Sequence, residues 1–366
     1  MKFSIAKEDI LQELQLLQGI VEKRSTMPIL GNILMTAAEN EVELIGTDLE
    51  VGLKTHFKAE VEEPGSLTVS GKKLFEIVRA LTGGQKVNFK ESENLTLEIT
   101  SGASQFKILC LPKDDYPQVP EPKFEKKIVL PLGIMRTMID RVYFAITQEQ
   151  RYYLNGALMI LSDKKIQLIS TDGHRLAYTS SVLEKLNLDA EISGIVSKKT
   201  LGEMRKLEDE KLEFDLDENN LFFKVNNRTL ISRIIEGKFP NYEAVIPKDN
   251  PHIIFFSRDE ITDSIRRVSL LSTERSKGIK FNVQKNLVAL FSSNPEIGEA
   301  RDKVDVEYDG PEFEIGFNSQ YLLDFLVSVK AERICFEMKD ENSAVLMRPE
   351  AEGDVKDIYV IMPMKI

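Results

Sequence analysis

The chain has 366 residues, of which 42% are hydrophobic and 29% charged, so it can bury cores in two or three domains and is not a disordered tail. Its formal net charge of −11 argues against a protein that coats DNA through bulk positive charge, although a local basic surface stays possible. No apolar run approaches the roughly 18 residues of a membrane helix, and the start lacks a secretory signal. The two cysteines and three scattered histidines form no metal site. These features favour a soluble cytoplasmic protein without metal or cofactor.

The predicted elements recur three times along the chain, with a period of about 123–125 residues. An apolar strand and an amphipathic helix begin near Lys2, Lys127 and Ile253. Each copy continues with a strand hairpin, a second helix and further alternating strands. Each copy closes on a proline, and Pro117, Pro240 and Pro363 are spaced by 123 residues in both intervals.

Apolar residues at helical spacing predict which faces of these helices are buried. In chain order, these faces are Ile10, Leu14, Leu17 and Val21; Leu74, Ile77, Val78 and Leu81; Leu201, Met204 and Leu207; Ile261, Ile265 and Val268; and Leu322, Leu323, Leu326 and Val329.

The repeat predicts an α+β fold made of three copies of one domain, each with two helices packed on an antiparallel sheet. We place an N-terminal domain at 1–124, a central domain at 125–249 and a C-terminal domain at 250–366. Chance similarity among strand-rich segments is the alternative. The constant order of helices, hairpins and closing prolines argues against it.

Basic residues gather on the polar sides of the helices, at Lys72, Lys73 and Arg79 in the first copy and at Lys198 and Lys199 in the second. If these helices line one surface, that surface is positive and meets phosphates without reading bases. An ordinary solvated helix face is the alternative. The acidic first helix, with Glu8, Asp9 and Glu13, fits the basic surface poorly.

Six motifs occur in order along the whole chain. They are MPILGN at Met27–Asn32, GTDLE at Gly46–Glu50, RYYLNG at Arg151–Gly156, TDGHRLA at Thr171–Ala177, GKFPNY at Gly237–Tyr242 and YVIMPMKI at Tyr359–Ile366. With these motifs the sequence resembles the bacterial DNA polymerase III beta subunit, or sliding clamp, family.

The resemblance implies a head-to-tail homodimer that closes into a ring of six domains, with helices inside and sheets outside. Such a ring encircles duplex DNA without sequence preference and acts as a processivity factor, not as an enzyme. Its expected partners are the catalytic subunit of the replicative polymerase, the clamp-loader ATPase complex, and other polymerases and repair proteins that carry clamp-binding peptides. No membrane partner is expected.

The resemblance also implies a partner-peptide pocket between the central and C-terminal domains. The matching positions are Leu154, Thr171, Gly173, His174, Arg175, Leu176, Pro240, Val245, Asn318, Tyr321, Val360, Met362, Pro363 and Met364. Ala244 and Ser276 depart from the family pattern, and they suggest a wider and less basic rim. A terminal strand that simply packs its methionines is the alternative reading of the chain end.

DNA contacts carried over from the family are Arg24, Lys72, Lys73, Gln148, Tyr152, Tyr153, Lys198 and Lys199. Neighbouring side chains need not share a face. One of the two tyrosines can therefore contact DNA while the other faces the pocket, and core packing is the alternative for either ring.

The implied subunit interface joins the N-terminal domain of one protomer to the C-terminal domain of the other. Matching positions are Phe106 and Ile108 on one edge, with Leu270, Leu271, Glu296 and Glu299 on the other. The family can carry arginine where this chain has Gln105, so charge pairing across the interface is thinner here, with Lys107 as a substitute.

Two other classes of function compete with a clamp. Ser170, Asp172 and His174 supply the residue types of a catalytic triad, but GxSxG and GxxxxGK[ST] motifs are missing from the sequence. A scaffold protein that never meets DNA is the second rival, and it would show no dependence on DNA topology.

Overall fold

A computed structural model describes residues 1–21, 27–125, 128–147, 152–274, 276–351 and 353–365. Its Cα positions form two compact units. The first unit comprises Met1–Gly133 and Lys199–Ile234, and the second comprises Ile134–Lys198 and Ile235–Ile366. Each unit is described by itself below.

Six helices occur in the described part of the chain, and local sequence explains where they begin. They are α1 (Lys7–Leu17), α2 (Gly71–Ala80), α3 (Leu132–Val142), α4 (Lys198–Met204), α5 (Arg258–Ser269) and α6 (Ser319–Ser328). The Ser257 hydroxyl accepts a hydrogen bond from Glu260 N at the start of α5, and the last turn of α5 carries Arg266 and Arg267. Acidic first and basic last turns complement the helix dipole. Within the described residues, no helix has the length and apolarity needed to cross a membrane.

The predicted apolar helix faces are confirmed, with small differences at the helix ends. Ile10, Leu14, Leu74, Ile265 and Leu322 are fully buried. Four buried residues lie beyond the last helical residue, because the helices end one to four residues earlier than the sequence pattern: Val21, Leu81, Leu207 and Val329. The predicted face residues Ile77 and Leu323 are only half-buried.

The strands follow in chain order. The first nine are β1 (Lys2–Ala6), β2 (Asn32–Ala38), β3 (Glu41–Thr47), β4 (Val51–Lys58), β5 (Glu60–Glu63), β6 (Gly65–Ser70), β7 (Lys86–Ser92), β8 (Thr96–Ser101) and β9 (Ser104–Leu111). The next eight are β10 (Ile128–Pro131), β11 (Gly156–Ser162), β12 (Lys165–Thr171), β13 (Arg175–Val182), β14 (Ile192–Ser197), β15 (Lys211–Leu216), β16 (Asn220–Val225) and β17 (Arg228–Arg233). The last eight are β18 (His252–Ser257), β19 (Gly278–Gln284), β20 (Leu287–Asn294), β21 (Gly298–Asp305), β22 (Phe313–Asn318), β23 (Arg333–Met338), β24 (Val345–Pro349) and β25 (Lys356–Ile361).

The first unit is built on a single antiparallel sheet of 13 strands. Its strand order is β10-β15-β16-β17-β4-β3-β2-β6-β9-β8-β7-β1-β5. Strand β17 of the second repeat pairs with β4 of the first, with Leu230 opposite Leu53. Backbone hydrogen bonds therefore join the first two repeats.

The second unit repeats this arrangement with β25 and β13. An eight-stranded sheet has the order β14-β11-β12-β13-β25-β24-β23-β18, and Tyr359 lies opposite Ala177. A further sheet has the order β21-β20-β19-β22. The α+β fold of three repeats is therefore confirmed. Because sheets cross from one repeat to the next, the compact units cut through the second repeat, and the boundaries at 124/125 and 249/250 stay predictions.

A buried ion pair accounts for one of the three acidic residues of the first helix. Glu13 on α1 is only 4% exposed, and its carboxylate accepts two short hydrogen bonds from Arg228 on β17, at 2.6 and 3.0 Å. The Thr55 hydroxyl donates a third, at 2.7 Å. The Glu8 carboxylate instead accepts from the backbone of Gly84. Two of the three acidic residues of this helix are therefore engaged within the first unit.

Candidate partner pocket and neighbouring surfaces

Hydrogen bonds from its own side chains fix the conformation of the loop between β12 and β13. The Thr171 hydroxyl donates to Arg175 O at 2.6 Å and accepts from Gly173 N at 3.1 Å. The Asp172 carboxylate accepts from His174 N and Arg175 N, at 3.0 and 3.1 Å. Gly173 has a φ of +90°, which glycine adopts at little cost. The TDGHR segment therefore folds into one defined turn that leaves His174 exposed.

Arg175 anchors this loop to the interior of the second unit. Its guanidinium donates to Asp172 at 2.9 Å, to Asp324 on α6 at 2.6 Å and to Phe144 O at 2.7 Å. The Tyr321 ring lies 4.2 Å from the guanidinium carbon, within cation–π distance. The sequence pointed to Arg175 and Tyr321 but missed Asp324 and Phe144. Their contacts span 149 and 31 residues, and local spacing carries no signal for them.

Three predicted pocket residues share one apolar cluster. Leu154, Leu176 and Val360 are each 2–3% exposed and pack with Ile235 and Phe239. The cluster also contains side chains that sequence reasoning missed, namely Ile160, Ile169, Ile195, Tyr178, Tyr242, Ile246, Ala344 and Ile358. Several of the missed strand residues lie in continuous apolar stretches, as Ile160 does between Met159 and Leu161, and such stretches are typical of any buried strand. Nothing in the sequence therefore marks them as pocket residues.

The end of the chain crosses this apolar surface. Met362 N donates to His174 O at 3.0 Å, and Met364 N donates to Gly316 O at 2.9 Å. Strand β25 ends at Ile361, and the next residue, Met362, is 44% exposed. The predicted pocket residue Val245 is exposed to a similar extent, at 46%. The alternative of a terminal strand that packs its methionines therefore fails for Met362, whereas Met364 is half-buried. Exposed methionine beside an apolar floor is suited to binding varied apolar side chains.

The remaining predicted pocket positions belong to the second unit, and their place in the pocket stays a prediction. Pro240 is exposed, whereas Tyr321, Pro363 and Met364 are half-buried. The Asn318 side chain accepts from Gln320 N and Tyr321 N, so it caps α6. Of the two departures, Ala244 is exposed, and the Ser276 hydroxyl shares a hydrogen bond with Thr273.

Among the predicted DNA contacts, the lysines of α2 are exposed, whereas those of α4 form hydrogen bonds with other groups of the protein. Lys72 and Lys73 are exposed and lie 3.9 and 2.8 Å from the Glu76 carboxylate. The hydrogen bond from Lys73 holds the pKa of Glu76 below its usual value. Exposed ion pairs of this kind are weak, so a phosphate can replace the carboxylate at low cost.

Lys198 and Lys199 contact protein groups instead. Lys198 Nζ donates to Ile146 O at 2.7 Å and lies 5.3 Å from the centre of the Tyr143 ring. Burial, followed by the nearby charge of Arg175, lowers the pKa of Lys198. Lys199 Nζ donates to Ile20 O at 2.8 Å and to Asp48 at 2.5 Å. The DNA role of both lysines stays a prediction.

The two adjacent tyrosines differ in exposure, and a DNA contact by either ring stays a prediction. Tyr152 is 54% exposed, whereas the half-buried Tyr153 packs against the apolar cluster around Leu154. Arg24 and Gln148, the other predicted DNA contacts, lie outside the described residues.

The predicted subunit interface falls on two sheet edges. Strand β9 pairs with β8 along its length and with β6 only at Cys110 and Leu111, so its remaining edge has no strand partner within the described ranges. Strand β21 likewise pairs only with β20 in the part of the chain described. Phe106 and Ile108 on β9 are half-buried. An open edge is a template for pairing with another chain.

Exposed apolar side chains mark both edges. Leu270 is 78% exposed beside the half-buried Leu271, and Glu296 and Glu299 are exposed. The sequence missed Leu109 on β9, 82% exposed, and Ile297, 67% exposed. Gln105 is exposed, but Lys107 lies 2.5 Å from Glu98 of its own sheet, which weakens it as a substitute for a charge across the interface.

The catalytic alternative finds no geometric support in the loop that suggested it. The Ser170 hydroxyl is buried and donates to Val142 O at 2.6 Å. Asp172 binds the backbone of His174, so these two residues form a turn. Within the described residues, no three His, Cys, Asp or Glu side chains are grouped so that they could hold a metal ion.

Comparisons with known proteins place the whole chain in one family. Models for the N-terminal, central and C-terminal domains of the DNA polymerase III beta subunit match residues 1–120, 130–241 and 243–365. The beta sliding clamps of Pseudomonas aeruginosa and Escherichia coli K12 are 35% and 33% identical, each over 100% of both chains. A crystal structure of the Pseudomonas aeruginosa sliding clamp bound to griselimycin matches with a TM-score of 0.94 and 33% identity, again over 100% of both chains. A Bartonella birtlesii sliding clamp bound to griselimycin gives a TM-score of 0.95 and 31% identity over the same coverage. The chain therefore belongs to the DNA polymerase III beta subunit family.

Proposed function

We propose that this chain is a DNA sliding clamp. Two copies join head to tail into a ring that encircles duplex DNA and tethers the replicative polymerase, and the ring works in the cytoplasm. Its hold on DNA is topological, and it acts as a processivity factor and not as an enzyme. The net charge of −11 is compatible with this function, since weak local phosphate contacts allow sliding, whereas many of them would add affinity and drag.

One observation carries the partner-binding part of the proposal. The chain end Met362–Met364 lies across the loop Thr171–Arg175, beside an apolar floor that includes Leu154, Leu176 and Val360. Short peptides with large apolar side chains fit such a floor, and the exposed Met362 can adjust to different ones. Polymerases, the clamp loader and repair proteins with such peptides then compete for one site.

The test of the clamp mechanism depends on DNA topology. The protein is loaded on nicked circular DNA by the loader complex and ATP, and bound protein is measured after a wash at high salt. We expect retention on the circle and release after the circle is cut, because cut ends let a ring slide off. Linear DNA whose ends are blocked by bound streptavidin serves as the control and should retain the protein. Retention on unblocked linear DNA, or equal loss from both forms, would contradict the proposal.

The test of the pocket uses two methionines of equal exposure. Met362→Ala should weaken binding of a fluorescent peptide copied from the clamp-binding segment of the cognate polymerase by about 5- to 30-fold, since truncating an anchoring contact costs about 1–2 kcal/mol. Met27, 46% exposed, is the matched control, and Met27→Ala should leave the affinity unchanged. If both changes weaken peptide binding equally, Met362 is not part of the pocket. This result does not depend on whether the protein is retained on circular DNA.

A further inference from the structure

The loop between β3 and β4 in the first unit has the same hydrogen bonds as the candidate pocket loop in the second. The Thr47 hydroxyl donates to Val51 O and accepts from Leu49 N, at 3.2 and 3.0 Å. The Asp48 carboxylate accepts from Glu50 N and Val51 N, at 3.0 and 2.6 Å. Leu49 has a φ of +78°, close to the +90° of Gly173. The two loops are therefore one structure offset by 124 residues.

The strand beside each loop also matches. Arg233 N donates to Glu50 O at 2.8 Å, as Met362 N does to His174 O at 3.0 Å. Ser232 lies opposite Val51 in the sheet register, as Ile361 lies opposite Arg175. Arg233 therefore holds the backbone position of Met362, and Ile231 holds that of Val360.

A cavity of about 430 Å³ opens at this place in the first unit. Its apolar lining includes Leu49, Val119, Pro120 and Ile231, over a floor at Gly52, where the candidate partner pocket has Leu176. Leu49 is 50% exposed. A bulky residue held at positive φ is strained, and such strain is concentrated at functional sites.

Polar groups complete the lining. They include Gln118, Asn219, Asn220 and the exposed Arg233. The Arg233 side chain makes no hydrogen bond or ion pair with any residue in the ranges that the structure describes. An unpaired guanidinium beside apolar side chains favours a carboxylate with an apolar neighbour. Because Glu50 shares the rim, a single carboxylate fits better than an acidic run.

We propose that the cavity at Thr47–Gly52 and Arg233 is a second peptide site, which binds a short extended segment carrying one acidic side chain next to large apolar ones. The proposal goes beyond the clamp function, because it adds a binding site at the junction of the first and second repeats. Each chain then has two sites with the same backbone, one apolar and one that selects a carboxylate.

The first experiment measures charge selection on the full-length protein. The probe is the fluorescent peptide Gly-Leu-Val-Asp-Leu-Gly, compared with the same peptide carrying Asn in place of Asp. We expect saturable binding of the acidic peptide, about tenfold tighter than that of the neutral peptide. Arg233→Gln should remove that preference. Lys58→Gln, which changes an exposed cation at the far end of β4, should keep it.

The outcomes separate this site from the partner pocket. Binding of the acidic peptide should survive Met362→Ala, whereas loss in Met362→Ala with retention in Arg233→Gln would assign the peptide to the partner pocket and overturn the proposal. Equal affinity for the two peptides, or no saturable binding below about 1 mM, would also overturn it. None of these results depends on whether the protein is retained on circular DNA.

The second experiment converts one pocket into the other. A Cβ at Gly52 would lie 3.4 Å from Val119 and 3.6 Å from Ile231, which is ordinary contact, so the backbone has room for a Cβ at this position. The double variant Gly52→Leu with Arg233→Met carries the floor and rim residues of the partner pocket. It should bind two polymerase-derived peptides per chain, against one for the parent protein. An unchanged stoichiometry in the folded variant would refute the equivalence of the two pockets.

Discussion

The junction of the first and second repeats and the junction of the second and third repeats share a backbone and differ in their side chains. In both, a Thr-Asp turn is locked by its own side chains and the next repeat adds a strand beside it. Where one junction has Gly52 and Arg233, the other has Leu176 and Met362. The repeated backbone thus builds the same turn and the same neighbouring strand twice, with different side chains around each.

The two junctions also neutralise the loop aspartate differently. Asp48 is bound by Lys199, the second residue of α4, at 2.5 Å. Asp172 is bound by Arg175 of its own loop, at 2.9 Å, and that arginine reaches on to Asp324. The same turn therefore relies on a distant lysine in the first unit and on a local arginine in the second. This is why Lys199 is less available to DNA than its place in a basic helix suggests.

The largest expected effect comes from breaking the Glu13–Arg228 pair, which holds α1 against β17 near the first junction. Arg228→Ala leaves the buried Glu13 carboxylate without its bidentate partner, and such changes cost about 3–5 kcal/mol. Hydrogen exchange should show faster opening of α1, β4 and β17, while the strands of the second unit keep their protection.

A double change provides the control for that prediction. Glu13→Leu combined with Arg228→Met removes both charges and keeps apolar volume, so most of the lost stability should return. If the single and double variants open equally fast, the pair is not what stabilises the first unit. If the second unit opens as well, the two units do not unfold independently.

The sequence predicted the repeat well because helices and hairpins leave local periodic patterns. Ile10, Leu14 and Leu322 occupy the faces that their spacing indicated. The compact units were missed, because they arise from strand pairs between repeats, such as Leu230 with Leu53. Which strand edges meet across the chain depends on tertiary packing, and alternation of apolar residues is the same for any partner strand.

The site residues show the same limit. The family resemblance supplied Arg175, Leu176 and Met362, and these residues lie together in the second unit. The partners that hold them, such as Asp324, come from distant segments and carry no local motif. The similarity of the Asp48 and Asp172 loops was visible as TD in both segments, but only their hydrogen bonds show that they are equivalent turns.

A smaller effect should come from exchanging the residues at positive φ in the two loops. Gly173→Ala places a Cβ at a φ of +90° and should lower the free energy of unfolding of the second unit by about 1–2 kcal/mol. Leu49→Gly relieves strain at +78° but adds chain entropy to the unfolded state, so its net effect should be below about 1 kcal/mol. Denaturant titration, with the unfolding of each unit followed by hydrogen exchange, measures the change in the free energy of unfolding for each variant. A larger loss from Leu49→Gly than from Gly173→Ala would mean that the Leu49 side chain packs in the first unit and does not serve a ligand.

The smallest expected effect concerns the two thiols, one in each unit. Burial raises the pKa of Cys110 and of Cys335 to about 11. Both stay protonated at pH 8, so iodoacetamide should label them about 100-fold more slowly than in the unfolded chain, and labelling should accelerate as the pH rises toward 11. The same raised values stabilise the fold below the pKa of the unfolded thiol, and this contribution is lost as the pH passes through about 11.

Cys335 lies on β23, between β18 and β24, whereas Cys110 lies near the open edge of β9, where local opening is easier. Mass spectrometry should therefore find Cys110 labelled before Cys335. If β9 is the subunit edge, dimer formation should slow the labelling of Cys110 further. Faster labelling of Cys335 would contradict the assignment of β9 as the less protected strand.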